Sequence, residues 1–446
     1  MLNRRAFLWL AGATALPVSR LTGGRNPGAP AWVSAQRGGG PAAYPDPLPP
    51  SVAALTSMRD RAKPITSEER RGRIERARRL MADRKIDAII LTAGTSLTYF
   101  TGIRWGGSER LFAVVIPKVG NPYVVTPAFE EDRTREQLAA GPLAHTDVAT
   151  WQEDESPFAL VQQGLKDRGI AGGRIGVEET TKFVFADGMA GAAPALRVVS
   201  ATPVTASCRM IKDAHELELM RLACQVTLTC YEAVFKALAP GMTQDQAGRL
   251  IGAAYNRLGF PGFANVQVGE YTALPHGSIT PQTIREGRIV MIDDGCTVEG
   301  YQSDITRTFV LGKATDKMRK VFEIVHAAQA AALKAARPGV PLENIDTAAR
   351  TVIVDAGYGP GFKYFTHRLG HGMGMDGHEW PYLVKNNMFG WETALKLQPG
   401  MVFSDEPGVY IHGEFGVRLE DDMHITDTGA ELFTPQSPSI ENPFGS

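Results

Sequence analysis

Five side chains in the C-terminal half of the sequence have the types and settings that bind divalent metal ions. The stretch IVMIDDGCTVEGYQSDITRTF, residues 289–309, delivers Asp293 at the end of an apolar run and Asp304 on the next extended run. Strand side chains alternate with period two, so Ile289, Met291 and Asp293 share a face, and Thr306 and Thr308 continue the face that Asp304 begins. Glu299-Gly300 is a turn signal, and a hairpin centred between Val298 and Glu299 sets Asp293 directly opposite Asp304. Opposed Cβ atoms lie about 5 Å apart, so two bare carboxylates there repel unless something positive sits between them. Taken alone, the pair could equally be two aspartates at a solvated strand end.

The segments that follow add to the set. FTHRLGHGMGMDGHEWP carries His367, His371 and His378, three of only nine histidines. GMVFSDEPGVYI brings Glu406 after an apolar run, and Pro407 biases Glu406 toward an extended backbone. FGVRLEDDMHIT alternates Val417 and Leu419 against Arg418 and Glu420, so Arg418 and Glu420 share a face. Four carboxylates and one imidazole can hold two ions about 3.5–4 Å apart, because carboxylates bridge. An oxygen-rich set with little sulfur suits Mn²⁺ first, with Co²⁺, Fe²⁺ or Zn²⁺ as alternatives. The zincin-like His-x-x-x-His reading of HRLGH fails: no Glu follows the first His, and glycines crowd the required helix.

In order, the Asp-x-Gly with a second Asp eleven residues later, the glycine-flanked His, Glu-Pro-Gly and Arg-x-Glu-Asp resemble the pita-bread metallopeptidases. That family includes aminopeptidase P, prolidase and, more distantly, methionine aminopeptidase. The resemblance implies that Asp304 and Glu420 bridge two ions, that Asp293 completes one, and that His371 with Glu406 completes the other. It also implies a proton acceptor at Glu406 and substrate-side histidines at His276, His367 and His378. His276 precedes Asp293 by seventeen residues, and the other two flank His371 at minus four and plus seven. Arg418 either reaches the substrate or pairs with a metal-binding carboxylate. Asp294 and Asp405 depart from the family's smaller or apolar residues, and alternation points both away from the ions. The expected activity is an exported, binuclear exopeptidase that cleaves Xaa-Pro bonds at peptide N-termini, in the manner of aminopeptidase P. Tri- and longer peptides are expected, because no further basic residue is clearly assigned to a dipeptide's carboxylate. The alternatives are a prolidase-type dipeptidase, a non-peptide C–N hydrolase of the same fold, and a catalytically dead binding protein.

The elements that must position these residues divide the chain in two. Runs such as IDAIILT, FAVVIP and PYVVTP alternate with helical stretches in residues 61–207, an α/β unit resembling the creatinase-type N-terminal domain. Its first helix begins with a Thr66-x-x-Glu69 capping box and carries Ile74, Ala77 and Met81 as an apolar stripe. Residues 208–446 open on a long amphipathic helix through Leu217, Met220, Cys224, Leu228, Tyr231, Phe235 and Leu238, and Thr243-x-x-Gln246 caps another. The expectation is an α+β chain whose catalytic domain is a curved, mainly antiparallel sheet covered by helices.

Composition is that of a globular protein of 446 residues, with 43% hydrophobic and 21% charged residues and a net charge of −1. The first 35 residues hold four arginines and no acids, leaving 43 basic against 48 acidic residues, which excludes a strongly basic nucleic-acid binder. MLNRRAFLWLAGATALPVS resembles a twin-arginine signal around Arg4-Arg5, with cleavage expected after Ala35 and a Gly/Pro-rich tether over 36–60. Its apolar stretch is too short to span a bilayer, so no stable membrane anchor is expected. The twin-arginine machinery would deliver a folded protein to the periplasm or the medium. Cys208, Cys224, Cys230 and Cys296 form no C-x-x-C pair and read as free thiols. A homodimer or higher homo-oligomer is expected from the resemblance.

Overall fold

The computed structural model describes residues 44–385 and 394–445. The twin-arginine leader and the first part of the tether segment lie outside the described residues. From Tyr44 the segment lies against the C-terminal domain. Helix α1 (Pro50–Ala53) buries Val52, Ser51 Oγ donates to the Ala233 carbonyl at 2.7 Å, and Met58 N donates to the Leu258 carbonyl at 2.9 Å.

The N-terminal domain is a six-stranded mixed sheet in the order β4-β3-β2-β1-β5-β6. Its strands are β1 (Ala88–Thr92), β2 (Ala113–Pro117), β3 (Tyr123–Pro127), β4 (Asp147–Trp151), β5 (Gly173–Val177) and β6 (Leu196–Ser200). Around it lie α2 (Ser67–Arg84), α3 (Thr95–Thr101), α4 (Glu131–Ala139), α5 (Pro157–Lys166), α6 (Phe183–Ala192) and α7 (Thr202–Arg209). Alternate residues feed two cores: Ile89, Leu91 and Val114 pack on one face, Ala88, Ile90 and Val115 on the other. The Thr66–Glu69 capping box forms, and Ile74, Ala77 and Met81 are buried as their spacing predicts.

In the C-terminal domain, a pair of helices followed by antiparallel strands occurs twice. The first pair is α8 (Ala214–Phe235) and α9 (Gln244–Leu258), followed by β7 (Asn265–Val268), β8 (Ile289–Asp293), β9 (Thr297–Val298), β10 (Tyr301–Gln302) and β11 (Arg307–Val310). The second is α10 (Asp316–Ala335) and α11 (Leu342–Asp355), followed by β12 (Gly370–Gly372), β13 (Glu379–Leu383), β14 (Val402–Asp405), β15 (Gly408–Ile411), β16 (Phe415–Arg418), β17 (Asp421–Ile425) and β18 (Ala430–Leu432). The first set forms a β11-β8-β7 sheet, and the second a β13-β12-β14-β17-β18 sheet with the β15–β16 hairpin beside it. Each helix pair packs over its own apolar core. Helix α8 starts on an Asp213–Glu216 capping box, and it is buried around more of its circumference than a single stripe. Leu219, Ala223, Val226 and Cys230 are fully covered, whereas Leu217, Leu228 and Phe235 are half-buried at its margin. No described helix is long and apolar enough to cross a membrane.

The hairpin between the two aspartates forms with its turn one residue later than expected. Val298 pairs with Tyr301, and Glu299 and Gly300 occupy the turn with φ of 50° and 94°, the pair of positive angles that a tight two-residue hairpin needs. Arg307 pairs with Ile292 in that register, so Asp293 stands across from Thr306 rather than Asp304. Ser303 N donates to the Cys296 carbonyl and Ile305 N to that of Asp294, each at 3.1 Å, which puts Asp304 across from Gly295. A side chain at Gly295 would collide with the Ser303 carbonyl. The two aspartates therefore converge through a close approach at glycine and a kink at Asp294, whose φ is 118°.

Candidate metal centre

Four of the five expected ligands sit at a strand end or in the breaks between strands, where the backbone can turn a side chain inward, and the fifth lies within a three-residue strand. Asp293 ends β8, Asp304 lies between β10 and β11, His371 is the middle of β12, Glu406 separates β14 from β15, and Glu420 separates β16 from β17. Asp293, Asp304 and Glu420 present oxygens within 4.8 Å of one another, and so do His371, Glu406 and Glu420 their ligand atoms. His371 Nε2 is 3.4 Å from Glu406 Oε1 and 3.9 Å from Asp304 Oδ2. Glu420 thus joins both groups, and Asp304 reaches toward the second.

Backbone packing fixes His371. A side chain at Gly370 would strike the Ser404 carbonyl, and one at Gly372 the Trp380 carbonyl, so neighbouring strands press on the histidine from two sides. His371 Nδ1 lies 3.2 Å from the Gly372 carbonyl and can only donate to it, which leaves the Nε2 lone pair facing the carboxylates. Burial, then the neighbouring His378, holds its pKa well below the ordinary value, so the ring is neutral and able to bind a metal.

The carboxylates crowd a buried space. Burial raises the Asp304 and Glu420 pKa values far above the ordinary range, with the negative charges of their neighbours adding to it. Burial likewise lifts Glu406 to about 7, with Arg418 opposing and Asp293 adding. Four acids sharing one guanidinium make a site with an excess of negative charge, and two divalent cations would balance it. The hard oxygen donors, the one oriented imidazole and the shared Glu420 all fit a binuclear pair.

Arg418 is buried, and it pairs with Asp293 Oδ2. Its Nε donates to Thr306 Oγ1 at 3.1 Å, and its Nη1 donates to the Pro275 carbonyl at 3.1 Å and to the Tyr410 hydroxyl at 3.0 Å. Of the two roles open to Arg418 in the sequence, this geometry matches pairing with a carboxylate of the centre. Tyr410 donates in turn to His367 Nε2 at 2.7 Å, and His367 Nδ1 donates to the Arg368 carbonyl at 2.7 Å. Both ring nitrogens of His367 are therefore engaged by protein, although a substrate-side place was expected. Burial, followed by the charge of Arg418, lowers its pKa to about 3 and keeps it neutral.

His378 lies at the exposed side of the centre, its ring stacked on His371 with centroids 3.6 Å apart. It also falls within ligand distance of Asp304 and His371. Burial, then Arg368 and His276, lowers its pKa to about 4. His276 is exposed, next to the Pro275 carbonyl that Arg418 holds. Neither of the buried oxygens of Asp405 has a hydrogen-bond partner among the described residues. Burial and then Asp421 raise its pKa well above the usual carboxylate range.

Four residues of the site escaped the sequence reading. Ser404 accepts from His371 N at 3.0 Å and donates to Glu406 Oε1 at 3.2 Å. Thr306 Oγ1 lies 2.5 Å from Asp293 Oδ1 and 2.6 Å from Glu420 Oε2. Ser404 and Tyr410 share the face of Glu406 by alternation, and that signal could have found them. Arg368 had no such signal, since it lies in a loop. Its guanidinium stacks over Tyr382 at 3.9 Å and reaches 3.4 Å from His378 Nδ1, and it forms no ion pair with a described residue.

A buried cluster of carboxylates and one histidine able to hold metal ions, on antiparallel sheets that follow a separate α/β domain, is an arrangement suited to a metallohydrolase. Residues 218–427 match the metallopeptidase family M24, and residues 73–211 match the creatinase/prolidase N-terminal domain. The chain belongs to metallopeptidase family M24, and its C-terminal domain has the pita-bread fold of that family. It is 36% identical to the probable dipeptidase PepE of Mycobacterium tuberculosis, over 78% of this chain and 90% of that one. The crystal structure of dipeptidase PepE from Mycobacterium ulcerans superposes with a TM-score of 0.78 at 31% identity, covering 85% of this chain and 99% of that one. Prolidase from Thermococcus sibiricus superposes with a TM-score of 0.73 at 28% identity, covering 84% and 98%.

Proposed function

We propose that the protein is a prolidase-type dipeptidase, hydrolysing Xaa-Pro dipeptides to free amino acids. The observation that carries this reading is Arg368, a cation beside His378 that feels the charge of Glu406 but makes no ion-pair contact with a carboxylate among the described residues. The expectation of longer substrates rested on finding no basic residue for a terminal carboxylate, and Arg368 supplies one. The dipeptidase and prolidase relatives support the same choice. Asp293, Asp304 and Glu420 would hold one ion, and His371, Glu406 and the shared Asp304 and Glu420 the other; the donor set suits Mn²⁺. When bound, such a pair polarises the scissile carbonyl and makes water a nucleophile near neutral pH.

The chain's own groups do the rest. Glu406, placed beside the ligand atoms of His371 and Glu420, takes the proton of the attacking water and returns it to the leaving nitrogen. A bond to proline is a tertiary amide without an N–H, so the site needs no acceptor there, and the leaving nitrogen must be protonated. His378 and His276 hold the scissile carbonyl as charge develops on it. Arg418, braced by Tyr410 and His367, keeps Asp293 aimed at the centre. Arg368 receives the dipeptide's carboxylate as a fork. The test compares Ala-Pro, its C-terminal amide, Ala-Pro-Ala and Ala-Ala-Ala at one Mn²⁺ loading. Ala-Pro should be fastest, and Arg368→Met should raise its KM about 10- to 100-fold, the worth of a charge-assisted hydrogen bond. Faster cleavage of Ala-Pro-Ala would move the enzyme to the aminopeptidase P side, and fastest release from Ala-Ala-Ala would refute the proline reading.

A further inference from the structure

We propose that the N-terminal domain positions His378, and that it does so through Arg209. The inference rests on the function proposed above, in which His378 faces the substrate. His378 lies just before β13, on the loop that leaves β12, and it is exposed. A loop residue beside a metal centre keeps a productive place only if its neighbours are held.

Here both flanks are held from outside the catalytic sheet. Arg209, the last residue of α7, reaches Asp376 Oδ2 with Nη2 at 2.6 Å, and the same nitrogen pairs with Glu379 Oε2. Asp376 and Glu379 bracket His378 in sequence, so one guanidinium spans the turn that presents the ring. Thr95, at the start of α3, donates to the other oxygen of Asp376 at 2.6 Å. Lys212 donates to the other oxygen of Glu379 at 2.8 Å. Trp380, two residues beyond His378, donates from its indole to Glu179 Oε1 at 2.9 Å. Segments around Thr95, Glu179 and Arg209 thus reach the residues around His378 from three separate places in the N-terminal domain.

An ion-pair network that only glues two domains together would look similar, and energetics separate the two roles. Glue costs stability when broken, whatever residue stands at 378. A positioning residue costs turnover only while there is a ring to position. The experiment measures kcat and KM for Ala-Pro, metal content and thermal stability in Arg209→Met, Thr95→Val, His378→Ala and the two doubles with His378→Ala. Arg209→Met should lower kcat about 10- to 100-fold, the usual cost of losing an outer partner of a metal site, with both metals retained and KM little changed. Thr95→Val should lower kcat a few-fold and leaves both ion pairs intact, so the comparison survives if Arg209→Met fails to fold. Arg209→Lys should restore part of the loss.

In the His378→Ala background neither change should lower kcat further, since residues that act as a unit are not additive. Losses that multiply in the doubles, or a normal kcat in Thr95→Val and Arg209→Met, would overturn the inference alone. Wild-type turnover in His378→Ala would remove the role given to His378 in the proposed function, and this inference with it.

Discussion

Asp304 sits where the two halves of the centre meet, within ligand distance of Asp293 and Glu420 on one side and of His371 on the other. Its backbone is fixed as well, because Asp304 N donates to Asp422 Oδ2 at 3.2 Å, and that oxygen accepts the Cys224 thiol at 3.0 Å. Asp304→Asn should therefore leave the fold standing and lose at least one ion per chain with about 100-fold or more of the activity, because a neutral amide is a poor bridge. Metal analysis after gel filtration, beside an Ala-Pro assay, checks it; two metals per chain with normal turnover would refute the role given to Asp304. At this scale Asp293, Glu406 and Glu420 were legible beside apolar runs, whereas the choice of His371 among three histidines, and so the full set, came from the resemblance to the family. Tyr410 and Ser404 were legible in principle from alternation with Glu406. Arg368 was not, since an unpaired loop cation becomes visible only when the neighbours that fail to neutralise it are known.

Among the elements, the contact of α2 with α8 and the β9–β10 hairpin decides how the domains hold together. Arg73 on α2 donates to the Tyr301 hydroxyl at 2.8 Å and pairs with Glu216 at 3.2 Å, and Tyr301 donates to Glu216 at 2.7 Å. All three are buried. Removing the cation strands a buried carboxylate, which costs about 3–5 kcal/mol when no partner replaces it. Arg73→Met should lower stability by that order in denaturant or thermal unfolding, and a loss under about 1 kcal/mol would show that the network relaxes or takes in water. The helices involved were readable from local signals, α2 from its capping box at Thr66 and α8 from the recurrence of its apolar residues. The hairpin register was not. A turn signal marks a place to within a residue, and a shift of one residue in the turn centre exchanges the partner of Asp293 from Asp304 to Thr306. The recurrence of a helix pair before each group of strands was also hidden in the sequence, since the two copies share an architecture and not their residues.

For the whole molecule, the twin-arginine leader expected at residues 1–35 lies outside the described residues. If the leader is read by the twin-arginine machinery, Arg4→Lys with Arg5→Lys should leave full-length precursor in the cytoplasm, although charge is unchanged. Fractionation with an antibody against the mature chain decides it; normal export of the double variant would favour the general secretory route. A route that moves folded protein suits a chain whose thiols never pair. Cys208, Cys224, Cys230 and Cys296 are all free and buried, and burial raises the pKa of each. Cys208 lies in the core of the N-terminal domain with Ile74, Ala77 and Val204, where its carbonyl accepts from the Tyr99 hydroxyl at 3.0 Å, and the other three line the core under α8. An alkylating reagent meets no thiolate until one of those two cores opens. The four sulfurs thus serve as a built-in clock: the order and pace of their modification record which part of the molecule breathes first.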